Sequence, residues 1–380
     1  MREMTSRERF RAALHHQEPD RVPIEVGSDL HNGIHAVAYA NLLKHLGEQD
    51  EIRYYDQMQH LAVCKESVKQ RLHADTRYIF ANAPDSWRLS FAADGGWLDE
   101  WGVRRRNVGL YDENVEPPLR DLTAAKVRRY RVPDARDPSR YAGLAEQAKR
   151  MHESTDYALV GGSPASLFFL SSELVGFQEY MEKIATEPAL IEELVERVLE
   201  YWVEFFPRYL AEIHPYIEMI WMGDDWGTQL GPIMSPQWFR KIFVERYKTL
   251  IGSIRRQYPK VKVALHACGS VYYALPDFVD AGIDVIHPLQ GDAAEMDPER
   301  IKREFGRKLV LYSNISNQNV LPHGTPEDVR QEVLRRIRIL APGGGYIMSG
   351  GHNIQADVPP QNILALFDTT FEQGRYPIRC

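Results

Sequence analysis

The sequence predicts an α/β protein built as a (β/α)8 TIM barrel, preceded by a helix and carrying a β-hairpin insertion. Three observations predict it. From residue 137 onward, apolar strand-like runs alternate with amphipathic helical stretches, the pattern of a parallel sheet covered by helices. Strand candidates near residues 22, 79, 159, 219, 263, 286, 310 and 347 spread over about 350 residues, which suits a closed barrel better than an open doubly wound sheet. No GxGxxG follows the first of them, which weakens a dinucleotide-binding reading.

The first element is a helix. Thr5 with Glu8 three residues on forms a capping signature, and residues 6–16 continue as an amphipathic helix. Gln17-Glu18-Pro19-Asp20 ends it, and 21–26 reads as a strand. Helices are expected over 34–46 and 56–74, and a strand over 78–81. Residues 87–108 alternate apolar and polar around Gly95-Gly96, a hairpin signal. Trp87, Trp97 and Trp101 then read as cross-strand packing. Pro117, Pro118 and Pro133 punctuate the next stretch, so about 85–135 is expected to decorate a single domain of residues 1–380. Later strands are expected at 157–169, 217–222, 261–265, 285–288, 309–312 and 346–348. The helices between them are expected at 141–153, 178–212 (broken near Pro188 and Pro207), 236–258, 271–281, 298–305, 326–340 and 360–371.

Composition excludes several classes. The 380 residues are 44% hydrophobic and 26% charged, a globular balance without low-complexity disorder. A net charge of −7, from 46 basic and 53 acidic residues, argues against a nucleic-acid surface. The clusters RRR at 104–106 and RRYR at 128–131 read as solvated surface. No run approaches the roughly 18 apolar residues of a membrane span, and the first residues lack an apolar stretch of signal-peptide length. Cys64, Cys268 and Cys380 are an odd, scattered set, which fits a reducing compartment rather than a disulfide framework. A cytoplasmic protein is expected.

In such a barrel the chemistry lies at the C-terminal strand ends. The residues there are Gly27-Ser28-Asp29 with His31 and His35 behind them, Ser163, Asp224-Asp225, His266-Ala267-Cys268, His287, Ser313-Asn314 and Ser349-Gly350-Gly351-His352. Turn chemistry explains the glycines, serines and asparagines. The surplus is His266, Cys268, His287, His352 and the paired aspartates. His266 and Cys268 are two apart, so in extended backbone they share a face, and imidazole and thiolate are good zinc ligands. A buried thiol beside a hydrogen-bonded histidine is the blander reading. His352 is the best third ligand by position, ahead of Asp225 and Glu173. Asp224 and Asp225 read as general acid/base, as substrate anchor, or as a helix cap with its neighbour.

Several stretches together resemble the uroporphyrinogen decarboxylase superfamily. They are MTSRERFRAALHHQEPDRVPIE at 4–25, GDDWGTQLGPIMSP at 223–236, HACGSVYYALPDFVDAGIDVIHPLQ at 266–290, HGTPEDVRQEV at 323–333 and GGGYIMSGGHNIQADVPPQNI at 343–363. The resemblance implies a TIM barrel and one of two chemistries. One is metal-free decarboxylation of porphyrinogen acetate groups. The other is zinc-dependent methyl transfer between a thiol or other acceptor and a corrinoid protein. The decarboxylases carry an arginine-rich segment after the first strand, much like RQAGRY; here VGSDLHNGIHAVAYA at 26–40 has no arginine. A polycarboxylate needs cationic partners, so this departure disfavours true uroporphyrinogen decarboxylation.

The methyltransferases carry His-x-Cys at one strand end, matched by His266 and Cys268, and a second Cys at the last strand end, where this sequence has His352. The decarboxylases have a His in a similar context, so His352 is a ligand in one reading and a substrate contact in the other. The resemblance therefore implies zinc on His266, Cys268 and His352, with Asp224 and Asp225 catalytic. His31, His35, Ser163, His287 and Asn314 would contact substrate. A methylcorrinoid would come from a partner corrinoid protein, and a small methyl donor or acceptor would complete the reaction. Homodimers are common in the decarboxylases and are an expected state. A decarboxylase acting on a smaller carboxylated substrate, or a ligand-binding barrel without turnover, are the competing readings.

Overall fold

A computed structural model describes residues 3–27 and 30–378. Ser28, Asp29 and Cys380, all noted in the sequence, lie outside the described residues. Seven parallel strands form one curled sheet in sequential order: β1 (Thr76–Phe80), β2 (Ala158–Gly162), β3 (Met219–Gly223), β4 (Lys262–His266), β5 (Val285–His287), β6 (Val310–Tyr312) and β7 (Tyr346–Ile347). Residues 22–26 close the ring. Ile24 bridges Met348 in parallel, the Met348 N–H donates to the Pro23 carbonyl, and the Asp75 N–H donates to the Ile24 carbonyl. The expected barrel is the observed fold.

Side-chain alternation sorts each strand into barrel interior and helix-facing exterior. Trp221, Ala264, Val285, Tyr312 and Ile347 point inward and pack together; Ile220, Leu265, Ile286 and Leu311 join the outer core under the helices. The first helix, Ser6–Leu14, opens with the expected capping box of Thr5 and Glu8 and seats Phe10, Ala13 and Leu14 in the lower mouth of the barrel. Fully buried Asp75 locks it there. Its carboxylate accepts from Ser6 Oγ (2.7 Å), Arg9 Nη1 (2.7 Å), Arg21 Nη1 (2.8 Å) and Nη2 (2.9 Å), and the Ile24 N–H (2.9 Å). The floor is thus sealed, and the opposite mouth remains for the site.

Several expectations are corrected. The helix over 56–74 is instead two short antiparallel strands, Tyr54–Asp56 and Leu61–Ala62, and a helix limited to Glu66–Arg71. Asp56 Oδ1 takes the Gln59 N–H and His60 adopts a positive φ of 52°, so a turn wins over helix periodicity. The strand at 157–169 stops at Gly162, and Phe168–Val175 is helical. Pro207 does not break its helix, which runs Pro188–Ile213 with Phe205, Phe206, Tyr209 and Leu210 buried on both sides of it. The hairpin is a three-stranded antiparallel sheet, Trp97–Leu98, Arg104–Asn107 and Asp112–Glu116. Trp97 donates across this sheet to Asp112 Oδ2 (2.7 Å), as cross-strand packing predicts, whereas Trp101 packs edge-on against Tyr201 and ties the insertion to the long helix.

Candidate metal centre

The upper layer of the barrel arises from strand register. Gly223, His266 and His287 are paired neighbours on β3, β4 and β5, and the alternation that turns Trp221, Ala264 and Val285 inward turns these three inward as well. Gly223 leaves room for His31: a Cβ at 223 would lie 2.9 Å from His31 Nε2. The His31 ring sits 4.8 Å from that of His266 and 4.7 Å from Trp221. His266 Nδ1 is 2.8 Å from His287 Nδ1, and His266 Nε2 is 2.9 Å from Cys268 Sγ. His352, in the loop after β7, places its ring 5.0 Å from that of His266. Ligand atoms of His266, Cys268 and His352 all lie within 4.8 Å of one another.

Two glycines set the Cys268 loop. A Cβ on Gly227 would lie 2.3 Å from the Ser270 nitrogen, and one on Gly269 would lie 2.3 Å from the Gly227 carbonyl carbon. The backbones of the two rim loops therefore touch, and the Gly227 N–H donates to the Cys268 carbonyl at 3.0 Å. Asp225 Oδ1 accepts the Cys268 N–H (3.2 Å) and faces His266 Nε2 at 3.5 Å.

Burial dominates the electrostatics. It pushes His31 and His287 well below the ordinary histidine value and His352 down to about 4, with the His266 charge adding to each. Neutral imidazoles with lone pairs result. Burial, then the Asp225 carboxylate, pushes the Cys268 thiol well above its usual range, so without a cation it is a poor nucleophile. Burial also works to raise Asp225, but its hydrogen bond to His266 and the His266 and His352 charges outweigh it and hold the carboxyl low. Asp224 goes the other way, raised by burial to about 6. Its oxygens accept the Leu167 and Phe169 N–H groups (2.7 Å each) and the Tyr247 hydroxyl (2.5 Å), so it caps the helix Phe168–Val175.

Above the cluster opens a cavity of about 380 Å³. His31, Asp224, Asp225, His266 and His352 line it. The other residues expected to touch substrate do not. His35 caps the helix Ala36–Leu46 through the Val37 N–H (3.2 Å), and buried Ser163 accepts the Ala165 N–H (3.0 Å). His287 is fully buried behind His266, and Asn314 donates to the Leu289 carbonyl at 2.6 Å.

Three features escaped the sequence reading. Arg105, read as solvated, is 6% exposed and lines the cavity, bonded to Glu173 (2.8 Å) and Asp99 (3.1 Å); Arg104 and Arg106 remain outside. Three identical residue types at 104–106 left no local signal to single out Arg105. Tyr111 and Phe169 line the cavity from the insertion and from the capped helix. Buried Glu25 accepts from the hydroxyls of Tyr78 and Tyr312 and from Asn32 inside the barrel; a lone Glu in the apolar run 22–26 was its only mark.

Fold and site together define a TIM-barrel-like protein with a metal-competent His-x-Cys…His group at the C-terminal mouth. The uroporphyrinogen decarboxylase (URO-D) family model matches residues 111–372, more than two thirds of the chain. The chain belongs to that family and is an enzyme of its superfamily. Curated uroporphyrinogen decarboxylases align at low identity. The one from Psychromonas ingrahamii is 25% identical over 275 residues, covering 70% of this chain and 74% of the relative. The one from Chloroherpeton thalassium is 24% identical over 268 residues, covering 68% and 71%. A methyltransferase from Methanosarcina mazei superposes over 97% of this chain and 99% of its own, with a TM-score of 0.66 and 19% identity, a likeness of fold. Among the described residues, no helix is long and apolar enough to cross a membrane.

Proposed function

We propose that this chain is a zinc-dependent methyltransferase component. It moves a methyl group between a small thiol or methoxy compound and a corrinoid carried by a partner protein. The observation that carries the reading is the convergence of one thiol and two imidazoles within 4.8 Å of one another, with His266 and His352 lining the cavity. Three protein ligands with an open position facing a cavity make a catalytic rather than a structural zinc set. Zinc held there would supply a Lewis acid that keeps a thiol or alcohol in its anionic form near neutral pH.

The chain's own residues do the rest. His287 receives the Nδ1 proton of His266 and so points the Nε2 lone pair at the ligand position beside Cys268. Asp225 Oδ1 accepts the Cys268 N–H and so fixes the backbone that carries the thiol. Asp224 supports the rim by capping its helix, and Asp225 is the carboxylate left to face a reactant. The Asn353 N–H donates to His352 Nδ1 at 2.7 Å. Ligation through either ring nitrogen gives up that bond, a cost of about 1 kcal/mol.

The decarboxylase alternative needs cations for substrate carboxylates. Arg105 is the one Lys or Arg among the described lining residues, and two carboxylates already hold it.

Metal analysis by mass spectrometry tests the proposal on wild type, Cys268→Ser and His352→Ala, purified without chelators or a His-tag. The expected result is about one zinc per chain in wild type and loss in both variants, followed by methyl transfer to or from a corrinoid. A folded wild type that takes up no zinc after reconstitution refutes it.

A further inference from the structure

The cavity has a charge pattern that the methyltransferase reading does not specify. At one end it is lined by His266 and His352 of the metal-competent group. Away from that end, Asp56, Glu113 and Glu173 line the same space of about 380 Å³. Arg105 is already committed, its Nη1 2.8 Å from Glu173 Oε2 and its Nε 3.1 Å from Asp99 Oδ2. Asp56 Oδ1 takes the Gln59 N–H at 2.6 Å, and neither Asp56 nor Glu113 forms an ion pair among the described residues. Burial pushes the Asp56 carboxyl up, and it pushes Glu173 up even with Arg105 beside it. In both cases burial outweighs the opposing pull of the Arg105 charge.

The uncharged lining has a matching character. The Tyr111 and Phe169 rings and the Met58 thioether face the same cavity. The Tyr111 hydroxyl is engaged by Gln355, which leaves its ring for contact. Aromatic faces and thioethers are soft, polarizable surfaces, and ring faces attract cations directly. Asp56 and Glu173 are half-buried and Glu113 is exposed at the rim, and a positive charge beside the half-buried pair offsets the cost of keeping both ionised. A neutral ether leaves that cost standing, and an anion adds to it.

We infer that the substrate of this site carries a positive charge: a compact organic ammonium or sulfonium group seated among Asp56, Glu113, Glu173 and the rings of Tyr111 and Phe169. Its reacting end points to His266, Cys268 and His352. Only the statement about the reacting end rests on the methyltransferase reading; recognition of the cation does not.

Calorimetric titration of the full-length protein tests it with three probes of nearly one shape. They are choline, 3,3-dimethyl-1-butanol (carbon in place of the ammonium nitrogen) and 3,3-dimethylbutanoate. Zinc content is measured in every preparation, and each titration is run with and without added zinc. Choline is expected to bind at least about tenfold tighter than the neutral alcohol, with the carboxylate weakest. The advantage is expected to shrink at least about threefold in Asp56→Asn and in Glu173→Gln, with folding of each checked by circular dichroism. Equal or tighter binding of the alcohol, preference for the carboxylate, no choline binding at millimolar concentration, or an unchanged advantage in both folded variants overturns the inference. A zinc-free protein that still prefers choline keeps it and removes the methyltransferase reading instead.

Discussion

His287→Phe separates support of the metal centre from support of the fold. For His266 to present its Nε2 lone pair beside Cys268, the ring proton must sit on Nδ1, where it donates to His287 Nδ1 at 2.8 Å. Phenylalanine removes that acceptor and leaves a buried N–H without a partner, which costs about 1–3 kcal/mol in the metal-ready tautomer. Zinc affinity is expected to fall about 10- to 100-fold, the usual cost of losing a hydrogen-bond partner behind a metal ligand. Stability is expected to change less, by about 1 kcal/mol. His287 Nε2 is itself buried without a hydrogen-bond partner among the described residues, so the ring has one polar atom it does not need. A phenyl ring also suits the neighbouring faces of Trp221, at 5.3 Å, and Tyr312, at 5.7 Å. Competition with a chromogenic chelator measures the affinity, and urea unfolding of the metal-free protein measures the stability. His287→Gln, which keeps an acceptor, is expected to recover part of the affinity. Zinc affinity within about twofold of wild type in a folded His287→Phe protein refutes the reasoning.

Three further predictions concern the rim, the floor and the outer shell. Gly227→Ala puts a Cβ 2.3 Å from the Ser270 nitrogen, where backbone cannot yield locally. It is expected to cost about 1–3 kcal/mol and to lower zinc per chain by moving the Cys268 loop; full zinc occupancy counts against it. Asp75→Asn leaves Arg21 buried without its carboxylate, so urea unfolding is expected to lose about 3–5 kcal/mol. A loss under about 1 kcal/mol contradicts the floor-locking role. At Asp368, burial works upward but hydrogen bonds from His73 and Arg71 prevail and lower the carboxyl to about 2. Its stabilisation is therefore present above about pH 4 and lost as pH falls through about 2. Asp368→Asn is expected to cost about 1 kcal/mol at pH 7 after allowance for solvent screening, with the difference from wild type closing at the acid end.

The sequence by itself determined the strand and helix alternation from residue 137, because period-2 and period-3.6 patterns are local. Pro298–Phe305 and Pro326–Leu340 begin and end where their prolines and apolar periods place them. The His266–Cys268 pair was legible for the same reason, since two residues apart in extended backbone fixes a shared face. Local signals failed where partners are distant. The strand expected to run to Phe169 gives way to a helix because Asp224, more than fifty residues later, caps it. Arg105 reads as one of three surface arginines until Asp99 and Glu173 close on it. That His31, His266, His287 and His352 meet at all, while His35, Ser163 and Asn314 stand apart from the cavity, was decided by the tertiary structure. Closing the barrel sets Gly223, His266 and His287 side by side, and a missing side chain at Gly223 admits His31. Register between strands far apart in the chain is a property of packing, and no window of sequence contains it.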